Sequence, residues 1–330
     1  MALIAPPDRS DAVVAPPATE RQPLTILYRG PLSSCNYECH YCPFAKRHET
    51  AAELQRDRQA LARFVDWATR ESQFQLSIFF TPWGEALVRP WYQEALLALS
   101  QLPHLRRVAI QTNLSCRLNW LVNCNREKLA LWCTWHPTQL TLGAFLGCCR
   151  QLDERSIRYS VGVVGLREAF AQIQQLRERL SPQVYVWINA FKDVAGYYSP
   201  ADVEFLETID PLFRINHTQH VSLHEWCLAG ESVITVDGEG DVRRCHFIPH
   251  TIGNLYDSEF SQALKRRRCT NATCGCYIGY VHMPRLAQPA IFGEGLLERI
   301  PQQPLWRDAV ARESAMALAR QLAETIQPSP

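Results

Sequence analysis

Thirteen cysteines occur in 330 residues, and their grouping is the first chemical signal in the chain. Cys35-Asn-Tyr-Glu-Cys39-His-Tyr-Cys42 is a CxxxCxxC run that places three thiols within eight residues. Three thiolates on one short loop can ligate three irons of a [4Fe–4S] cube, leaving the fourth iron without a protein ligand. A small molecule can chelate that open iron through an amine and a carboxylate, and Tyr41 would present an aromatic face beside it. The competing chemistry for the same residues is zinc. A structural zinc site takes four ligands, and His40 or His48 could supply the fourth.

A second group lies far downstream, at Cys227, Cys245, Cys269, Cys274 and Cys276. Val233-Ile-Thr-Val, the turn Asp237-Gly-Glu-Gly240 and Asp241-Val-Arg-Arg read as a β-hairpin that brings Cys227 and Cys245 together. Ligands from the later loop would close the site. Four thiolates on a hairpin knuckle also describe a zinc ribbon, so the metal here stays open between iron–sulfur and zinc. The remaining cysteines, Cys116, Cys124, Cys133, Cys148 and Cys149, lie in or beside apolar patterns and read as core. The odd count, in a long chain whose start has neither a basic leader nor an apolar stretch of signal length, argues against a disulfide framework.

The elements that must hold these groups follow from periodicity. Short β-branched or aromatic runs at 25–29, 76–80, 107–111, 129–135, 159–164 and 184–190 alternate with amphipathic stretches at 58–70, 90–101, 140–155 and 167–180. A further helix is expected from Ser199-Pro200, where Ser caps and Pro opens the first turn. Six such units fit a parallel sheet with crossover helices, either doubly wound or a barrel, and periodicity does not choose between them. The Cys35–Cys42 loop follows the first strand, where parallel βα folds carry their chemistry. Residues 259–268 read as a short helix whose end carries Lys265-Arg-Arg-Arg268 as a solvated, dipole-compensating terminus.

Apolar residues make up 47% of the chain, and 34 basic against 33 acidic residues leave a net charge of +1. Such a chain buries a sizeable core, and its charge balance offers no bulk reason to expect nucleic acid or an anionic membrane as partner. With no apolar run of about 18 residues, the expectation is a cytoplasmic enzyme. The expected organisation is a disordered leader over 1–23, a barrel domain over 24–218, a cysteine-rich subdomain over 219–285 and a helical C-terminal segment over 286–330.

The cysteine loop on its βα array resembles the radical S-adenosylmethionine (SAM) enzymes. Further positions fit that family in its order. Pro82-Trp83-Gly84-Glu85 is similar to the Gly-Gly-Glu segment that receives the SAM amino group, with Trp in the first Gly position. Gln111-Thr112-Asn113 matches the polar pair that meets the ribose. Val161-Gly-Val163-Val-Gly165-Leu-Arg-Glu168 resembles the segment near adenine, with Val161 in place of its leading Gly. The resemblance implies SAM contacts at Tyr41, Gly84, Glu85, Thr112, Asn113, Val163, Gly165 and Glu168. It also implies a partial (β/α)6 TIM-like barrel. The stretch Cys227-Leu-Ala-Gly to Ile252-Gly-Asn resembles the SPASM and twitch extensions of that family. Five cysteines fit one auxiliary [4Fe–4S] cluster on Cys227, Cys245, Cys274 and Cys276, with Cys269 as substitute for either of the last two.

What the resemblance implies chemically is reductive cleavage of SAM at the Cys35/Cys39/Cys42 cluster to methionine and a 5′-deoxyadenosyl radical. That radical would abstract hydrogen from a peptide or small-molecule substrate. A flavodoxin or ferredoxin would supply the electron, and the auxiliary cluster would serve as electron relay. His136, in Trp135-His-Pro, stands where the substrate or a structural partner would be, and Asn189, Lys192, Tyr197 and Tyr198 follow the sixth strand. The alternative from another class is a non-catalytic zinc-binding protein on a βα scaffold.

Overall fold

The computed structural model describes residues 21–44, 47–305 and 309–324. Most of the expected leader lies outside the described residues, but Gln22 and Pro23 already belong to the first strand. Strands β1 (Gln22–Arg29), β2 (Phe74–Phe80), β3 (Leu105–Thr112), β4 (Leu129–Thr134), β5 (Arg158–Val164) and β6 (Val186–Asn189) alternate with helices α1 (Ala51–Arg70), α2 (Pro90–Gln101), α3 (Leu142–Glu154) and α4 (Phe170–Arg179). Helices α5 (Pro200–Glu207) and α6 (Phe213–His217) follow. Helix α1 starts seven residues before the expected Arg58. Thr50 and Glu53 form a reciprocal capping box there, which satisfies two backbone donors ahead of the apolar stripe.

Strands β1 to β6 are all parallel and adjacent in chain order. No reversal of strand order occurs among them, so the sheet has no switch point of the doubly wound kind and curls in one sense. Beyond β1 the sheet continues through β9 (Val233–Asp237), β10 (Asp241–Arg243) and β11 (Thr251–Asn254). Before β9 come the short strands β7 (His220–Val221) and β8 (Trp226–Cys227). Because β9 pairs in parallel with β1, the second cysteine region grows directly out of the barrel sheet. Among the described residues the order is β11-β10-β9-β1-β2-β3-β4-β5-β6, an open, partial barrel.

Alternation along the strands separates two cores. Leu24, Ile26 and Tyr28, with Leu76, Ile78 and Phe80, pack under the helices. Phe79, Trp132 and Trp187 point to the other face, into the lumen. There the Trp132 ring lies 5.2 Å from Phe79 and 4.8 Å from Trp187. Gly162 leaves room for that indole, since a Cβ on it would stand 2.0 Å from the Trp187 ring.

The C-terminal segment packs Tyr277, Tyr280 and Phe292 into the lumen core. It runs through β12 (Arg267–Arg268), β13 (Thr273–Cys274), α7 (Tyr277–Tyr280), α8 (Gln288–Phe292) and α9 (Ala309–Glu324). The buried Arg299 guanidinium lies 3.8 Å from the Tyr277 ring centroid and 4.5 Å from that of Trp187. Its neighbour Glu298, also fully buried, meets Arg158 at 3.3 Å and Arg107 at 3.7 Å. Both arginines sit near the N-terminal ends of their strands, opposite the cysteine loop.

The helix expected over 259–268 is not there. A 3-10 turn occupies Phe260–Ala263, and Arg267–Arg268 is an extended strand paired with β8. The edge of β8 takes this partner, so tertiary pairing overrides the helical preference of a Lys-Arg run. No helix among the described residues is long and apolar enough to cross a membrane.

Candidate functional site

The loop from β1 to α1 carries Cys35, Cys39 and Cys42, and its root is tied down by carboxylates. Glu49 accepts hydrogen bonds from the Ser33 and Ser34 amides at 2.8 and 3.3 Å. Asp57, buried on α1, accepts from the Leu32 amide (3.1 Å), Trp91 Nε1 (2.7 Å) and the Tyr92 hydroxyl (3.0 Å). Neither residue was singled out from sequence. Asp57 left one usable signal, a charge inside the apolar stripe Leu54-Asp57-Leu61-Phe64.

Within the loop the Cys42 amide donates to Cys39 O at 3.1 Å, and the Tyr37 amide donates to Cys35 Sγ at 3.4 Å. Burial pushes the Cys35 and Cys39 thiols up, and the neighbouring thiols push in the same direction. A metal-borne positive charge would favour ionising them together. His136 approaches from the end of β4, with Nδ1 3.3 Å from Cys39 Sγ and 2.9 Å from the Tyr41 hydroxyl. Burial lowers its pKa to about 4, so the imidazole is neutral at pH 7.

The loops after β2 and β3 lock onto this one. Gly84 lies so close that a Cβ on it would stand 1.7 Å from the Ser34 carbonyl oxygen. Trp83, in the position where the family pattern has Gly, packs its ring at 4.7 Å from Phe44 and carries the Arg29 guanidinium at 4.0 Å. Glu85 is 3% exposed. It accepts from Thr112 Oγ1 (2.8 Å), the Asn113 amide (2.5 Å) and the Leu87 amide (3.1 Å). Burial raises its pKa to about 7 against those bonds. Thr112 is thereby engaged with Glu85, whereas Asn113 Nδ2 reaches toward Asn36 Oδ1 (3.2 Å) and Cys35 Sγ (3.9 Å).

The β5 positions divide. The Val163 side chain is fully buried in the core under the helices, so only its backbone can serve a ligand at this mouth. Gly165 is held by a bond from the Tyr198 hydroxyl to its carbonyl (2.7 Å), and a Cβ there would meet that hydroxyl at 2.9 Å. Glu168 is exposed.

The second cysteine region forms a cavity lined by Cys227, Cys245, Cys269 and Cys274, with Arg244, Phe247 and Met283 among its walls. Strand pairing assembles it. Arg267 of β12 is opposite Cys227 of β8, and Cys274 of β13 is opposite His220 of β7. Burial pushes the Cys227 and Cys245 thiols up, with the Arg244 guanidinium opposing. Cys274 is pushed up to about 12 by burial and by its neighbouring thiols.

Cys276, preferred from sequence over Cys269, does not line this cavity. The residue is exposed, and its thiol is faced by Lys192, Arg299 and Arg29. In the tight Cys274-Gly-Cys276 turn, strand pairing directs Cys274 to the cavity. Cys276, two residues on and at the N-cap of α7, is directed elsewhere. Lys192 Nζ donates to the Gly275 carbonyl at 2.5 Å, and His246 Nε2 lies 2.9 Å from Thr81 Oγ1 at the end of β2. These contacts tie the second cysteine region to the loops after β6 and β2 at the barrel mouth. His246 and the buried His282 carried no sequence signal.

Among the described residues no three His, Cys, Asp or Glu side chains converge on one ion-sized point. A cubane spreads its irons over separate corners, so its thiolates stand farther apart than the ligands of one ion. The remaining cysteines are core, with Cys124, Cys133 and Cys149 buried and Cys116 and Cys148 packed against the main cluster.

No family profile matches the chain, and no curated protein sequence matches it. Solved structures do. Native anSMEcpe with bound AdoMet is similar at a TM-score of 0.54 and 12% identity, over 92% of this chain and 97% of that one. Native anSMEcpe with bound AdoMet and the Cp18Cys peptide gives 0.51 and 12%, over 92% and 97%. The hexahistidine-tagged form with AdoMet gives 0.52 and 13%, over 92% and 96%. The likeness runs through the barrel and the cysteine-rich segment alike, and anSMEcpe is a radical SAM enzyme. This chain therefore has the partial-barrel fold of the radical SAM enzymes.

Proposed function

We propose that this protein is a radical SAM enzyme with one auxiliary iron–sulfur site. The observation that carries the reading is the trio Cys35, Cys39 and Cys42 at the C-terminal end of β1, on a fold shared with AdoMet-bound structures. Those thiolates would hold a [4Fe–4S] cluster, and Cys227, Cys245, Cys269 and Cys274 a second. When bound, the first cluster supplies the electron that splits SAM into methionine and a 5′-deoxyadenosyl radical able to take hydrogen from a substrate.

The chain's own residues do the rest. Gly84 lets the loop after β2 lie against the cysteine loop, and Glu85 braces it to Thr112 and Asn113. Asn113 and Asn36 remain beside Cys35, where the ribose of SAM would lie. Tyr41 and neutral His136 form a stacked pair, 6.0 Å between ring centroids, that walls the cluster. Substrate would enter between the two cysteine regions, against Arg29, Lys192 and Cys276. A peptide substrate is favoured over a free metabolite, because one anSMEcpe structure holds a peptide beside AdoMet. The auxiliary site would take up the electron released as the substrate loses a proton, and a flavodoxin- or ferredoxin-type protein would reduce the first cluster.

Anaerobic purification tests this. Wild type is expected to carry about eight irons and matching sulfide per chain, and C35A/C39A/C42A about four. Wild type alone should release 5′-deoxyadenosine from SAM on reduction. Zinc without sulfide, and no release, is the outcome of the competing zinc-binding scaffold and would overturn the reading.

A further inference from the structure

The run Lys265-Arg266-Arg267-Arg268 is not a helix end, and its extended form gives it a different use. Trp226, on β8 directly before Cys227, is exposed. Two guanidiniums stack on it, Arg266 at 4.2 Å and Arg268 at 4.3 Å from the ring. Each such contact restrains an otherwise free arginine. Arg268 is held further by donating to His224 O at 2.7 Å. Arg266 and Arg268 share this face, with Lys265 exposed next in sequence, although the whole chain carries a net charge of only +1. Trp226 is the apolar centre of this patch, and the adjoining Cys227 lines the four-cysteine cavity, whose wall includes the exposed Phe247. The nearby carboxylate of Glu225 is turned to Arg285, at 3.9 Å.

A fixed positive patch with an apolar centre, one residue from a cavity-lining thiol, suits a transient electron-transfer contact. Such interfaces are small, and charge complementarity supplies their speed and orientation. We propose that this face docks the acidic surface of a small one-electron carrier protein, which exchanges an electron with the centre held by Cys227, Cys245, Cys269 and Cys274. This rests on the iron–sulfur reading of that site. The carrier, in its oxidised form, gains the one electron that the substrate has given up, and the substrate's proton passes to water. A nucleic acid is the less favoured occupant, because the patch is short and adjoins a cysteine cavity.

The test is calorimetric titration of anaerobic holoenzyme with FMN-loaded flavodoxin of negative net charge, at about 50 and 300 mM salt. Basic cytochrome c and a single-stranded RNA oligomer serve as contrasting probes. Flavodoxin is expected to bind, and to weaken at least about tenfold at high salt and in K265E/R266E. That variant should keep wild-type 5′-deoxyadenosine release with dithionite, which shows that it folds. R266Q/R268Q should weaken binding less, in the same direction. Absence of flavodoxin binding, equal binding by K265E/R266E, equal binding of cytochrome c, or tighter binding of RNA overturns the proposal. Metal analysis of the same sample keeps the two readings apart. Zinc in place of iron defeats the cluster assignment, whereas intact iron without salt-sensitive docking defeats only the surface.

Discussion

The two cysteine regions are built in opposite ways. Cys35, Cys39 and Cys42 share one loop, so their proximity is covalent before it is conformational. The chain need only clamp that loop, which Glu49, Asp57 and Gly84 do. Cys227, Cys245, Cys269 and Cys274 span 48 residues and come from four separate places. They meet only because β8 pairs with β12 and β7 with β13, and because the β9–β10 hairpin hangs on β1. A site made locally is insensitive to distant rearrangement, whereas one made by pairing short strands inherits the stability of every pair.

The sharpest way to break this comparison is to exchange the contested cysteines. C269A is expected to lose the auxiliary iron, about four of eight atoms, while C276A keeps all of it; iron and sulfide counts decide. The reverse result would return Cys276 to the cavity. Next in size is Gly84→Ala. Its Cβ meets backbone, which cannot give way as a flexible side chain does. A loss of about 3 kcal/mol in chemical unfolding is expected, with depletion of the first cluster's iron before the second's.

Glu85 gives a pH test of comparable size. Its folded pKa, about 7, lies above the unfolded carboxylate value because burial disfavours the charge. Between the two values the folded state binds more protons, so stability falls as pH rises from about 4.5 to 7. Glu85's share of that fall is about 3 kcal/mol in metal-free protein, and E85Q should remove that share while Asp57, Asp210 and Glu298, also raised by burial, keep theirs. A wild-type profile that is flat over that window would show Glu85 solvated rather than locked between β2 and β3. The smallest effect is expected of Thr50→Ala, which removes the α1 capping box at a cost of about 1 kcal/mol. Iron at both sites should be unchanged, since the cysteine loop is clamped upstream by Glu49 and Asp57.

Strand and helix identity through the barrel was readable because strands buried on both faces are short β-branched or aromatic runs set between longer amphipathic stretches, as at Leu76–Phe80. Boundaries were less so. The α1 start depended on a capping box outside the apolar stripe, and Gln22–Pro23 join a strand only by pairing with Phe74 and Gln75. The Val163 side chain illustrates a different limit. A motif places a residue in order along a strand, but the two-residue repeat decides which face it serves, and here that is the helix side. Similarly, Thr112 stands in the motif as a polar residue, and the fold engages it with Glu85.

What the linear chain determined by itself is the chemistry that depends on neighbours in sequence. This includes the three-thiol loop, its place after a strand, the βα succession and the hairpin between Cys227 and Cys245. Periodicity left open whether the six strands curl or reverse; the family resemblance implied a barrel, and the order of pairing bears that out. Tertiary structure alone lined the cavity with Cys269 and left Cys276 outside it, turned a basic run from helix into strand, and brought Arg299 beneath the lumen tryptophans. Each of those outcomes depends on contacts between residues far apart in sequence, whose energies are summed only when the chain has closed on itself.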